Sequence, residues 1–188
     1  MLFILFLLLP PFQPADTLFS KAPADWKVEV IPFPLGFAPQ IELTGREELR
    51  FDPEWSKPDS PSYFSYAFIW WLDGDITIDH AMLQKNLDLY YKGLYKAVSK
   101  TKGTDPTTFA SSVRATRERA WIPGASANFR GTMKWVDPFF TEKPLTLNLM
   151  MCSWRCNGKT ALFVLVSPQD SGHPIWQTLK ELRAGACP

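Results

Sequence analysis

The sequence predicts an α+β fold in which an antiparallel sheet has a helix packed on each face, an α-β-α sandwich. Three observations carry this expectation. Residues Pro144 to Ser167 hold two apolar runs around Asn157-Gly158, a dipeptide that accepts positive φ at both centres of a type I′ hairpin turn. A two-residue turn sets Cys156 opposite Lys159, Trp154 opposite Ala161, Cys152 opposite Phe163 and Met150 opposite Leu165. The other face then carries Leu147, Leu149, Met151, Leu162, Val164 and Val166, so both faces are apolar and each needs a cover. The second observation is an amphipathic helix over about 79–100, and the third is a closing helix from Ile175. Strand clusters separated by helices suggest an α+β sheet with a helix on each face.

The elements come from the same arithmetic. Trp26, Val28 and Val30 alternate with Lys27 and Glu29 as a short strand, and Pro32, Pro34 and Pro39 confine the next segment to an edge or a surface crossing. GREELRFD places Leu49 and Phe51 on one side and Glu48 and Arg50 on the other; Pro53 ends it. Residues 62–72, SYFSYAFIWWL, read as a central strand with Phe64, Tyr66, Phe68, Trp70 and Leu72 on one face and Tyr63, Ala67, Ile69 and Trp71 on the other. After the Asp73-Gly74 turn, Ile76 and Ile78 suggest a short return strand.

Thr77 or Asp79 can cap the middle helix, whose stripe is Leu83, Leu87, Tyr90, Leu94 and Ala97/Val98. Gly93, in mid-helix, implies close packing on the sheet. Residues 108–122 are compatible with helix or strand and are read as a strand, because Val113 and Ala115 alternate with Arg114 and Thr116. FRGTMKWV then turns Phe129, Gly131, Met133 and Trp135 inward and Arg130, Thr132 and Lys134 outward. In the last helix Ser171 or His173 caps, Pro174 suits the first turn, and Ile175, Leu179 and Leu182 form the buried stripe.

One domain over residues 25–188 suits a chain of 188 residues, 46% apolar and 21% charged. The net charge of +1 argues against nucleic acid as a partner. Residues 2–9, LFILFLLL, are too short to span a bilayer, which takes roughly 20 residues, but suit the core of a signal peptide. We therefore expect residues 1–24 to be a signal peptide or disordered leader, and the protein to be exported, periplasmic or extracellular. Cys152 and Cys156 lie roughly 13 Å apart along one strand, too far to bond, whereas Cys187 can reach either. Three reduced thiols are the alternative.

Phe51, Pro53 and Trp55, the long helix at about 79–100, the strand pair across Asn157-Gly158 and the helix Ile175–Arg183 together resemble the PsbP-like group of exported α+β domains. The likeness spans residues 26–186. The stretches SYAFIWWLDG (65–74) and PIWQTL (174–179) are also similar to a set of uncharacterised bacterial exported proteins. The resemblance implies a binding or assembly module and supplies no shared catalytic residues.

Functional candidates divide into two classes. His173, in SGHP, can act as a general base with Asp170 or a loop serine, which would make a small hydrolase; His80 is a weaker candidate. Ser111, Ser112, Ser153 and Ser171 lack a nucleophile-elbow setting or an evident base. For a binding module, the outward face of Arg114, Arg117, Arg119, Arg130 and Lys134 suits an anion, with Glu118 and Glu142 able to neutralise it. The aromatics Tyr63, Trp70, Trp71 and Trp121 can form a stacking platform or fill the core. Asp73-Gly74-Asp75 reads as a turn rather than a calcium loop. Neither histidine has ligand spacing to a cysteine, and no phosphate- or dinucleotide-binding glycine pattern occurs, so no metal or cofactor is expected. Together these signs favour a non-catalytic binding or assembly module for an unspecified protein or small molecule. Its binding residues are expected among Trp71, Trp121, Arg117, Arg119 and Arg130.

Overall fold

The computed structural model describes residues 17–99, 110–116, 121–183 and 187. Among them run β1 (Lys27–Pro32), β2 (Gly45–Phe51), β3 (Tyr66–Asp73), α1 (His80–Val98), β4 (Ala110–Thr116), β5 (Ala127–Val136), β6 (Pro144–Cys156), β7 (Lys159–Ser167) and α2 (Ile175–Glu181). The strands form one open sheet in the order β1-β2-β3-β7-β6-β5-β4. Every neighbouring pair is antiparallel, so the fold is α+β with an antiparallel sheet. The chain lays down three strands by adjacent pairing, crosses through α1 to the far edge, and returns strand by strand until β7 closes on β3.

The Asn157-Gly158 turn has φ of 51° and 74°, and the β6–β7 register pairs Cys156 with Lys159 and Cys152 with Phe163. Period-two alternation then separates two cores. The first gathers Leu49, Phe68, Trp70, Leu149, Met151 and Val164 together with Leu83, Leu87, Tyr90, Tyr91 and Tyr95 of α1. The second gathers Ala67, Ile69, Trp71, Trp154, Phe163 and Leu165 together with Ile175, Trp176 and Leu179 of α2.

Several elements differ from the sequence expectation. β3 starts at Tyr66 rather than residue 62, because Trp55 to Ser65 form successive turns, with Tyr63 N–H on Ser60 O and Phe64 N–H on Trp55 O. Ile76 and Ile78 form no return strand; the Ile76 N–H donates to Thr160 Oγ1 at 2.9 Å instead of to a ladder. In α1 the Asp79 side chain caps by accepting the Met82 N–H at 2.8 Å. Its buried stripe ends on Tyr91 and Tyr95, while Leu94 is half-buried and Ala97 and Val98 are exposed. Gly93 meets a loop and not the sheet, since a Cβ there would lie 2.2 Å from the carbonyl oxygen of Phe37.

The N-terminal boundary also moves. Leu18 and Phe19 are buried in the second core, so the packed body reaches back to Thr17 and not only to residue 25. A buried ion pair holds this segment. Glu48, fully buried, accepts the Leu18 N–H at 3.1 Å and the Thr17 hydroxyl at 3.3 Å, and pairs with Arg50 at 3.4 Å. Arg50 in turn donates to Thr17 Oγ1 at 2.6 Å and lies over the Phe19 ring, and Arg183 donates to the Leu18 carbonyl. Buried charges persist only when paired and hydrogen-bonded; Arg46, 3.2 Å from Glu48 Oε1, and the segment from Thr17 to Phe19 together supply that satisfaction. Cys156 is disulfide-bonded to Cys187, with Cα atoms 5.7 Å apart; Cys152 is free and buried, and burial pushes its thiol pKa well up.

Candidate functional site

An aromatic cleft opens on the α1 side of the sheet, at the β1 end. Its floor is Leu49 and Phe51 of β2, Tyr66 of β3 and Phe64 just before it, and its far wall is Tyr90 and Leu94 of α1. Phe37, Trp55, Phe139 and Phe140 come from three loops, and Lys27, Glu29 and Ile31 of β1 form the rim. The enclosed volume is about 290 Å³. That is the low end of small-ligand sites, which hold apolar groups inside and a few polar groups at the mouth.

Each loop is held by local chemistry. Gly93 lets the chain at Phe37 and Ala38 touch the helix backbone, and the Phe37 ring then meets Tyr90 edge-on at 5.1 Å. Trp55 is set by a turn in which Asp52 Oδ1 accepts the Glu54 N–H at 2.8 Å and Asp52 O accepts the Trp55 N–H at 3.0 Å. Its ring lies 4.7 Å from Phe51 and 5.1 Å from Phe140. Phe64 adopts a left-handed φ of 50°, which turns its ring into the floor.

Asp137 organises the loop that carries Phe139 and Phe140. One carboxylate oxygen accepts the N–H groups of Phe139 and Phe140 at 2.8 and 3.1 Å. The other accepts the Thr141 N–H, the Thr141 hydroxyl and the Tyr63 hydroxyl at 2.6, 2.8 and 2.5 Å. Burial works to raise its pKa, but the Tyr63 and Thr141 hydroxyls and the Phe139 and Thr141 N–H groups together hold it below the usual carboxylate range. Tyr63 is pushed up to about 12, by burial first and by donation to Asp137 second. A loop so bonded presents its two phenyl rings, each 37% exposed, in a fixed pose.

Polar groups behind the cleft are engaged with one another. The Tyr66 and Tyr91 hydroxyls hydrogen-bond at 2.9 Å. Glu47 is fully buried, accepts from Trp70 Nε1 at 3.0 Å, and burial raises its pKa to about 8 against the opposing effect of Trp70 and Tyr90. At neutral pH this carboxyl is largely protonated, which is how an isolated acid tolerates the core.

Of the aromatics singled out from sequence, Tyr63 supports the cleft through Asp137, and the expected binding residues lie elsewhere. Trp71 is buried in the second core, and Trp121 is half-buried against it, its ring 5.3 Å from Phe163. Arg130 is half-buried on β5 and lines an open groove of about 510 Å³ with Thr132, Asn148, Asp170, Ser171 and Trp176. Arg114 stands opposite Arg130 in the β4–β5 register. Arg117 and Arg119 lie outside the described residues. The structure therefore brings Arg130, Asp170 and Ser171 around one groove but leaves Trp71 and Trp121 out of it.

His173 is half-buried, and its Nδ1 accepts the Ile175 N–H at 3.1 Å at the start of α2. Asp170 contributes its main-chain carbonyl, to the His173 N–H at 2.9 Å and to Trp176 Nε1 at 2.8 Å. Among the described residues no hydrogen bond joins the imidazole to a carboxylate or a serine hydroxyl. Asp73 and Asp75 pair with Lys159 and Arg155. Among the described residues no cluster of three or more His, Cys, Asp or Glu has the geometry to hold a metal ion.

Sequence reasoning misses the cleft because its principal rings sit in loops, where no period marks a facing direction. The available signals are the consecutive Phe139-Phe140 after Asp137-Pro138, and the spacing of Phe51, Pro53 and Trp55. Compared with protein-family models, with curated proteins and with solved structures, the chain matches none.

Proposed function

We propose that this protein is a non-catalytic, exported binding module whose ligand places an apolar group in the aromatic cleft. The observation that carries the reading is the pair Phe139-Phe140, held half-exposed by five hydrogen bonds to Asp137 above a walled cavity of about 290 Å³. Rings that only filled a core would gain more by full burial, and a preorganised apolar surface costs little ordering entropy when a ligand arrives. The apolar run at residues 2–9 and the Cys156–Cys187 disulfide support an oxidising, extracytoplasmic setting. In the same reading the domain is a PsbP-like α-β-α sandwich, with α1 against one face and α2 against the other. The separate membership of the two helices in the two cores supports it.

The test is a titration with benzyl alcohol, a neutral single-ring probe, followed through the indole N–H signals in NMR, with Trp55→Phe assigning the relevant one. Saturable shifts at Trp55 are expected. Phe140→Ala removes about 40 Å² of ring contact, which at about 25 cal/mol per Å² weakens binding about fivefold. Absence of saturable binding at millimolar probe would overturn the reading.

A further inference from the structure

We infer that the cleft takes an apolar molecule bearing an ammonium head, and that Lys27 holds the head's place while the site is empty. The inference rests on the cleft being the ligand site and adds the charge of the molecule that enters it. The Lys27 ammonium already stands at the mouth, 5.4 Å from the Phe51 ring centroid and 5.9 Å from that of Trp55. It is bonded to Glu29 at 2.7 Å. Ring faces carry negative quadrupole potential, so both they and the Glu29 carboxylate attract a cation and repel an anion. Among the described residues that line the mouth, Lys27 is the cation, which favours an anion, and its stem is the longer and more mobile one. Its side chain is 57% exposed on a flexible four-carbon stem, while Glu29, on the same strand, is 38% exposed on a shorter stem.

When Lys27 swings into solvent, two ring faces and one carboxylate are left without their cation. A ligand ammonium restores the same set of contacts. The remainder of that ligand must be apolar, because the hydroxyls behind the floor, Tyr66 and Tyr91, are bonded to each other. β1 is paired with β2 along its length, so the backbone that carries Glu29 stays in place during the exchange. Lys27 thus acts as an internal competitor that lowers the apparent affinity for cations.

The experiment compares three probes of one shape: benzyltrimethylammonium, benzyl alcohol and phenylacetate. Each is titrated into the full-length protein and into Lys27→Ala, Lys27→Arg and Glu29→Gln. The expected order is ammonium, then alcohol, then carboxylate. Lys27→Ala tightens the ammonium probe by about three- to tenfold, Lys27→Arg restores the wild-type value, and Glu29→Gln weakens it by a similar factor. Benzyl alcohol changes by less than about twofold across the set, because it has no charge to compete. If Lys27→Ala leaves the ammonium unchanged or weakens it, or if phenylacetate binds best and depends on Lys27, the inference is overturned while the cleft remains a ligand site. If no benzyl probe binds wild type, the cleft reading itself fails and takes the inference with it.

Discussion

Glu47 shows how far a single residue can be read from its position in a strand. Alternation in GREELRFD puts it on the face of Leu49 and Phe51, and the structure buries all three there. The local pattern does not supply the partner. Trp70 faces Glu47 only through the β2–β3 register, where the two are directly paired, and its indole N–H then meets the carboxyl. The consequence is a measurable pH dependence. Because the folded pKa is raised from 4.5 to about 8, the folded state keeps a proton that the unfolded chain has lost across that interval. The stability that Glu47 contributes is fully present below the lower value and is lost as pH rises through the upper one. Urea unfolding between about pH 5 and pH 8 is expected to show wild type losing stability with rising pH, and Glu47→Gln, neutral and still able to accept from Trp70, losing much less. Parallel slopes for the two proteins would contradict the assignment.

At the scale of elements, regular structure was legible and irregular structure was not. Strand faces and the β6–β7 register come from a period of two, and the turn from Asn157-Gly158. The middle helix comes from its stripe, although the tyrosines at 91 and 95 and not the residues at 97 and 98 close its buried face. Loops gave no such guide, and five of the cleft's rings, Phe37, Trp55, Phe64, Phe139 and Phe140, come from them. Gly93 lies between the two cases. Its presence signals a close approach, but only the fold reveals that the approaching group is the Phe37 carbonyl, 2.2 Å from a notional Cβ. In an exposed helix Gly→Ala stabilises by about 1 kcal/mol. Here Gly93→Ala is expected to destabilise by about 1–3 kcal/mol, as overpacking against backbone does, and to weaken benzyl alcohol binding by displacing Phe37. A stabilised variant with unaltered binding would show that the loop is not seated on α1.

On the scale of the whole molecule, the sheet is apolar on both sides at its centre, and that much was legible in the hairpin alone. The extent of the body was not, because nothing in the period of residues 17–24 marks them as packed. Their place depends on Glu48 and Arg50, brought close only by folding. Two chains, one beginning at Thr17 and one at Asp25, are compared by unfolding in denaturant. A chain beginning at Asp25 loses Leu18 and Phe19 from the second core and the partners of a buried ion pair, at a cost of about 3 kcal/mol or more. Equal stability of the two truncations would return the boundary to residue 25.

The proposed function rests on the location of one occupied surface, and intermolecular NOE measurement with benzyl alcohol reads that location directly. Contacts are expected from the probe's ring protons to Leu49, Leu94 and Phe140, on the α1 side. Contacts to Leu165, Trp121 or Ile175 on the opposite side, or no contacts from a saturably bound probe to any cleft residue, would contradict it.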